Sequence, residues 1–340
     1  MQRFNRFAAS TCMAVCLFVG TFQSAAAQTS IGLQNYVLTG NYALETLGGR
    51  GLEASAVTYA RDRGTLFFVG DEGLGVVEIT RTGQTVGSMA FSGWPAASSN
   101  RDAEGLAYLG SGVLVVAEER LQDALRFDYI AGGSVNLANA AFVSIGADTG
   151  NTGIEGIAVD PRNGSFLSVK QAGPQNVLAG NLTFAGAPAG GTSTMLPLFD
   201  PALLGLASLS DVASLGGVDA LASAPAGDNL LILSLDSRRL VETNRQGQVL
   251  SSLDLSGFTA QAIEGLTVDE AGTLYLVAES NGALPSRLLV LSPVPEPGSL
   301  ALMVAGLLGV ACVRGRSAGN ASGQDEGRAE HVMPDPVIPK

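Results

Sequence analysis

Five segments of this chain repeat one plan, and that repeat limits the fold more than any other feature of the sequence. One copy runs Ile154-Glu155-Gly156-Ile157-Ala158-Val159-Asp160, then Pro161-Arg162-Asn163-Gly164, then Ser165-Phe166-Leu167-Ser168-Val169-Lys170. The first part alternates apolar and small residues, as a strand does. Pro presets φ and Asn-Gly tolerates positive φ, so the middle part is a turn. The last part is a second strand that ends in a charge. The acids that open the copies are Glu53, Glu104, Glu155, Asp211 and Glu264, at steps of 51, 51, 56 and 53 residues. The second strands end beside Asp71 and Glu72, Glu118, Glu119 and Arg120, Lys170, Asp236 and Arg238, and Glu279.

An all-β unit with a period near fifty is a four-stranded propeller blade. The expected fold is therefore an all-β propeller. Five copies imply five blades. A sixth, degenerate blade in the interval 171–209 is the alternative, with little room. In that interval, residues 180–184 read as a strand and 186–191 as an exposed loop. Residues 195–201 have the composition of a segment lying over one face of the disc. A propeller must join its first and last blades or leave two sheet edges open. The segment 36–44 precedes the first copy and reads as strand, so it is expected to close the last blade beside residues 287–291.

Both ends of the chain lie outside the repeat. Residues 1–27 carry Arg3 and Arg6, an apolar run and Ala25-Ala26-Ala27, the order of a secretory signal peptide. The expected propeller domain is 28–293. Its cysteine content is nil, because Cys12 and Cys16 fall in the signal and Cys312 in a C-terminal apolar run. An exported domain without disulfides rests on its own core. The single histidine, His331, is also outside the domain. Ser-His-Asp and Cys-His catalysis and histidine metal ligation are thereby excluded from it. The formal charge of −12 disfavours nucleic-acid binding.

After residue 293 comes Pro295-Glu296-Pro297, then the apolar run 299–313, then Arg314 and Arg316. These three parts, over 294–316, resemble a PEP-CTERM sorting signal. The resemblance implies recognition and cleavage by an exosortase-type enzyme. It further implies an inner-membrane anchor through a transmembrane helix before processing, then the cell surface or the extracellular space. The arginines would hold the C-terminal side in the cytoplasm. The polar tail 317–340 is longer than such signals usually carry.

The repeats themselves resemble the SdiA-regulated, phytase-like (esterase-like) β-propeller family. The carrying residues are Glu53 with Asp71, Glu72 and Gly73; Asp102, Glu104 and Tyr108 with Glu118, Glu119 and Arg120; and Glu155 with Lys170. Asp211 with Asp236 and Arg238, and Glu264 with Glu279, complete the set. The resemblance implies a propeller and, loosely, a link to calcium. It does not carry phytase activity here, since a phosphate site wants clustered Lys and Arg and these positions are mostly acids.

In a propeller the innermost strands line a central channel. Glu53, Glu104, Glu155, Asp211 and Glu264, with Lys170, Arg120 and Arg238, are therefore expected at the channel as ligand-facing residues. Asp71, Glu72, Glu118, Glu119, Asp236 and Glu279 form a second set, expected as oxygen ligands for Ca²⁺. The plain alternative is structural: each acid bonds a neighbouring backbone or pairs with Arg120, Lys170 or Arg238. A Glu155–Lys170 ion pair would speak for that alternative, and a Lys170 facing open channel for an anionic ligand. Trp94 reads as packing under its loop, with stacking on a sugar as the alternative. The sequence thus points to an exported binding or interaction module, Ca²⁺-dependent, whose partners would be extracellular polysaccharide or a surface protein. A metal-dependent phosphoester or lactone hydrolase using channel carboxylates is the second reading.

Overall fold

A computed structural model describes residues 28–71 and 73–294. The signal peptide, Glu72, the sorting segment from residue 295 on and the tail lie outside the described residues. The chain forms five blades in ring order, each with four antiparallel strands, and the first blade gains a fifth strand, Ser134–Asn136, that runs parallel to its outer edge. The innermost strands are Ala54–Ala60, Ala103–Gly110, Ile154–Val159, Asp211–Ser214 and Ile263–Val268, in blades 1 to 5. The second strands are Thr65–Gly70, Val113–Glu118, Phe166–Lys170, Leu230–Ser234 and Leu274–Ala278.

The Glu-Gly dipeptide of the repeat has a structural cause. Glu104, Glu155 and Glu264 each sit at a β-bulge, between residues that stay in register with the second strand. The glycine that follows lets the next inner strand approach. A Cβ on Gly156 would lie 2.7 Å from the Asp211 Cα, and one on Gly265 would lie 2.8 Å from the Ala56 Cα. Only a residue without a side chain fits there.

Each blade is buried on both faces, which is why the second strands are continuous apolar runs. Along residues 65–70, Phe67 and Val69 face blade 2 while Leu66 and Phe68 face blade 5. In blade 4, Leu230 and Ile232 pack towards blade 3, and Leu231 and Leu233 towards blade 5. Five apolar clusters result, one in each gap between blades.

Closure follows the expected plan. Tyr36–Ala43 pairs antiparallel with Arg287–Pro293 and becomes the outermost strand of blade 5. The segment before it is fastened to blade 4. Ile31 N–H donates to the Glu242 carboxylate at 3.0 Å, as do the Ser251 hydroxyl and the Asn229 amide at 2.7 Å each.

The interval 171–209 holds no sixth blade. Asn176–Gly180 and Leu196–Phe199 are the outer strands of blade 3, so residues 195–201 build a sheet rather than cover the disc. Between them, Leu182–Thr183 and Thr192–Ser193 form a small separate hairpin that touches blade 2 through Phe142 and Ala185. The expected strand at 180–184 is thus shorter than its composition suggests. Trp94 packs, meeting Phe91 edge-on with ring centroids 5.4 Å apart.

Candidate functional site

The inner strands all start at one end of the channel, and the second strands all end there. That end gathers the acids. Glu104, Glu119 and Glu155 form one group, across blades 2 and 3. Burial pushes the Glu104 carboxyl well above its usual range, and Glu264 and Asp71 push it further. Burial also lifts Glu155 to about 11, reinforced by Glu104 and by Glu119. Glu155 is therefore protonated at neutral pH and donates a hydrogen bond to Glu119, which also accepts from Gly153 N–H at 3.2 Å. A second group spans blades 5 and 1. Burial raises Glu264 to about 8, with Glu279, Asp71 and Glu53 adding to the effect. Like charges that converge under partial desolvation hold protons or take a counter-ion.

Other expected residues have structural tasks. Glu118 is fully buried and accepts from the Ser98 hydroxyl at 2.6 Å and Leu121 N–H at 2.7 Å. Asp211 accepts from Val212 and Leu266 N–H at 2.7 Å each, tying blade 4 to blade 5. Arg120 pairs with Asp102 and bonds Asn151. Arg238 donates to the carbonyls of Thr259 and Gln261 and so holds a loop. Asp236 is exposed at its turn.

Blade 1 departs from the sequence alignment of the acids. Its bulged residue is Ser55, not Glu53, and the Ser55 hydroxyl donates to the Ala103 carbonyl at 2.6 Å. Glu53 precedes the strand with φ of 48°. Lys170 is only 8% exposed, and no ion pair joins it to Glu155.

The backbone is strained at the same end. Five of the six described non-glycine residues with positive φ are Leu47, Glu53, Arg101, Gln122 and Arg238, all in loops here. Such conformations gather where function over-determines the backbone. The oxygen-only donor set suits a hard cation by its chemistry. As the side chains stand, however, no three Asp, Glu, His or Cys residues among those described are grouped to hold a metal ion.

The opposite end of the channel differs in character. It is an open cavity of about 720 Å³ to which every inner strand contributes, including Val57, Leu106, Ile157, Val212 and Leu266. Tyr59, Tyr108 and Thr267 add polar groups, and Arg61, Asp62 and Glu270 add charges. Sequence reasoning missed this cavity. Its only sequence signal is a Tyr near the end of inner strands 1 and 2.

The fold and the two ends of its channel define a five-bladed propeller with a carboxylate-lined mouth and an aliphatic cavity rimmed by ion pairs. The chain belongs to the SdiA-regulated family, whose sequence profile matches residues 28–283. The PEP-CTERM protein-sorting motif matches residues 293–317 and marks the protein for export, membrane-associated sorting and exosortase-type processing. Pro295, Glu296, Pro297, Arg314 and Arg316 fall within that match.

Among solved structures, a luciferin-regenerating enzyme is 11% identical with a TM-score of 0.45, covering 75% of this chain and 95% of that one. Kuenenia stuttgartiensis hydrazine synthase is 12% identical with a TM-score of 0.37, covering 74% of this chain and 64% of that one. The Myceliophteria thermophila Cps50 (Swd1) β-propeller domain is 14% identical with a TM-score of 0.34, covering 72% and 70%. At this distance neither activity nor ligand transfers.

Proposed function

We propose that this protein works beyond the cytoplasmic membrane as a binding propeller whose acidic channel mouth takes up Ca²⁺. The bound cation would present open coordination positions to an oxygen-rich partner, an extracellular polysaccharide or the acidic surface of another protein. The observation that carries this reading is the Glu104–Glu119–Glu155 group. Burial raises all three, Glu119 adds to the rise at Glu104 and Glu155, and the hydrogen bond from Glu155 partly offsets the rise at Glu119. A divalent cation can replace such protons and relieve the same repulsion.

Because the carboxylates are not grouped as ligands while protonated, uptake entails their turning towards a common centre and releasing protons. Affinity then rises with pH. Calcium-dependent thermal melting of the mature protein tests the reading, with Glu155→Gln as the control. Metal-dependent turnover of phosphate esters or lactones by the wild type would replace it with hydrolysis at the same carboxylates.

A further inference from the structure

The geometry points to a second binding site, independent of the acidic mouth: the apolar cavity at the other end of the channel takes an aliphatic chain of a membrane lipid. Three observations support it.

The first is the direction of the last strands. Val268, at the cavity end of the innermost strand of blade 5, is in register with Leu274, and Leu274 with Leu291. The chain therefore leaves the propeller at Val294 on the cavity's face, where Val294 N–H bonds the Asn35 carbonyl at 2.8 Å. Only residues 295–298 separate that point from the apolar run that begins at Ser299. Those four residues span at most about 14 Å, so before processing the tether holds this face towards the bilayer. The acidic mouth then points away from it.

The second is charge. At the cavity end, Arg61 pairs with Asp219, Arg63 with Glu78, Arg81 with Asp269 and Glu270, and Arg162 and Arg245 with Asp160. Among the described residues, only the Arg120–Asp102 pair lies at the opposite end. An anionic lipid surface repels the end crowded with carboxylates, whereas here the five arginines, two of which also pair with Asp228, offset most of the acids.

The third is the cavity itself. About 720 Å³ is in the range of small-molecule sites, and the inner-strand part of the wall is aliphatic, while Arg61, Asp62 and Glu270 also line it. Its polar groups are largely engaged: Tyr59 accepts from Arg81, Tyr108 accepts from Gly112 N–H at 2.9 Å, Thr267 accepts from Tyr59 N–H, Arg61 pairs with Asp219 and Glu270 with Arg81. Such a lining offers contacts to hydrocarbon and few to a charged or highly hydroxylated ligand.

The test uses the chain without its signal peptide but with its C-terminal segment uncut, in phosphatidylglycerol vesicles that carry a photo-crosslinkable acyl chain. Labelling is expected on peptides bearing Val57 to Asp62 and Leu106 to Ser111. It should fall at least tenfold in Ala158→Phe and in Thr58→Trp, two variants that fill the cavity from different walls. Glu104→Gln, at the other mouth, should label as the wild type does. Melting temperatures show which filled variants are folded and so admissible, and labelling of peptides needs neither. Labelling confined to the acidic end or to the tail would overturn the proposal. So would equal labelling in a folded cavity-filled variant. Saturable uptake of free fatty acid without any vesicle labelling would overturn the membrane as the source.

Discussion

Glu155 donates a hydrogen bond to Glu119 across the boundary between blades 2 and 3. Two carboxyl groups bond in this way only while one keeps its proton. Burial favours that proton, and Glu104 beside the pair reinforces the effect. The pair thus joins the fold, which brings two blades together at their bulges, to the chemistry of the channel mouth.

Stability should fall as the pH rises above neutrality. Glu155 is raised to about 11 and Glu264 to about 8, from 4.5 for an ordinary glutamate. The folded protein therefore holds protons that the unfolded chain releases between pH 4.5 and these values. Their contribution is fully present below pH 4.5 and is lost as pH rises through 8 and towards 11. At the acid end the sign reverses. Burial opposes ionisation of Glu270, but hydrogen bonds from Tyr59 and Arg81 outweigh it and hold the group down to about 2. Its contribution is lost as pH falls from 4.5 to 2. Melting temperatures between pH 5 and 9, without divalent cations, should decline on the alkaline side. Glu155→Gln with Glu264→Gln should flatten that decline; an unchanged slope would refute the assignment of the protons.

Glu242 should matter more than its place in the sequence suggests. It is fully buried and accepts hydrogen bonds from Ile31, Asn229 and Ser251, joining the N-terminal segment to blade 4. Glu242→Ala leaves the donors buried and unpaired, at a cost of about 2–4 kcal/mol. Urea denaturation measures this. A loss below about 0.5 kcal/mol would show that the strap does not contribute to closure.

The glycines of the inner ring should resist even alanine. The new methyl of Gly265→Ala would sit 2.6 Å from the Val277 Cγ2 and 2.8 Å from the Ala56 Cα. Backbone cannot yield as a side chain does, so a loss of about 1–3 kcal/mol is expected. Gly257→Ala, where nothing lies within 4 Å, is the matched control and should be near neutral. Chemical denaturation of both variants checks the contrast.

The ring of blades was legible because the inner two strands of each blade repeat the same physical task. Small residues at the axis and apolar residues facing both neighbours left a period that counting reveals. Outer strands such as Gly75–Ile79 share no such constraint and leave no period in the sequence. Spacing also cannot see a bulge: it sets Glu53 in line with Glu104, although Ser55 holds that place. Asp211 stands in an inner strand whose pairing is regular, and its carboxylate caps Leu266 instead. The apolar cavity had no signature because five separate strands each lend it ordinary aliphatic side chains.

The central claim is that the carboxylate mouth binds a cation. The most direct measurement is the melting temperature of the mature protein at pH 8 with Ca²⁺, with Mg²⁺ and with chelator. The account predicts a saturable rise with Ca²⁺, loss of that rise on chelation, and proton release on binding. Glu155→Gln should weaken the rise at least tenfold in calcium concentration and, because it removes the buried proton, should raise the cation-free melting temperature at pH 8. The same melting temperature in calcium and in chelator would contradict it.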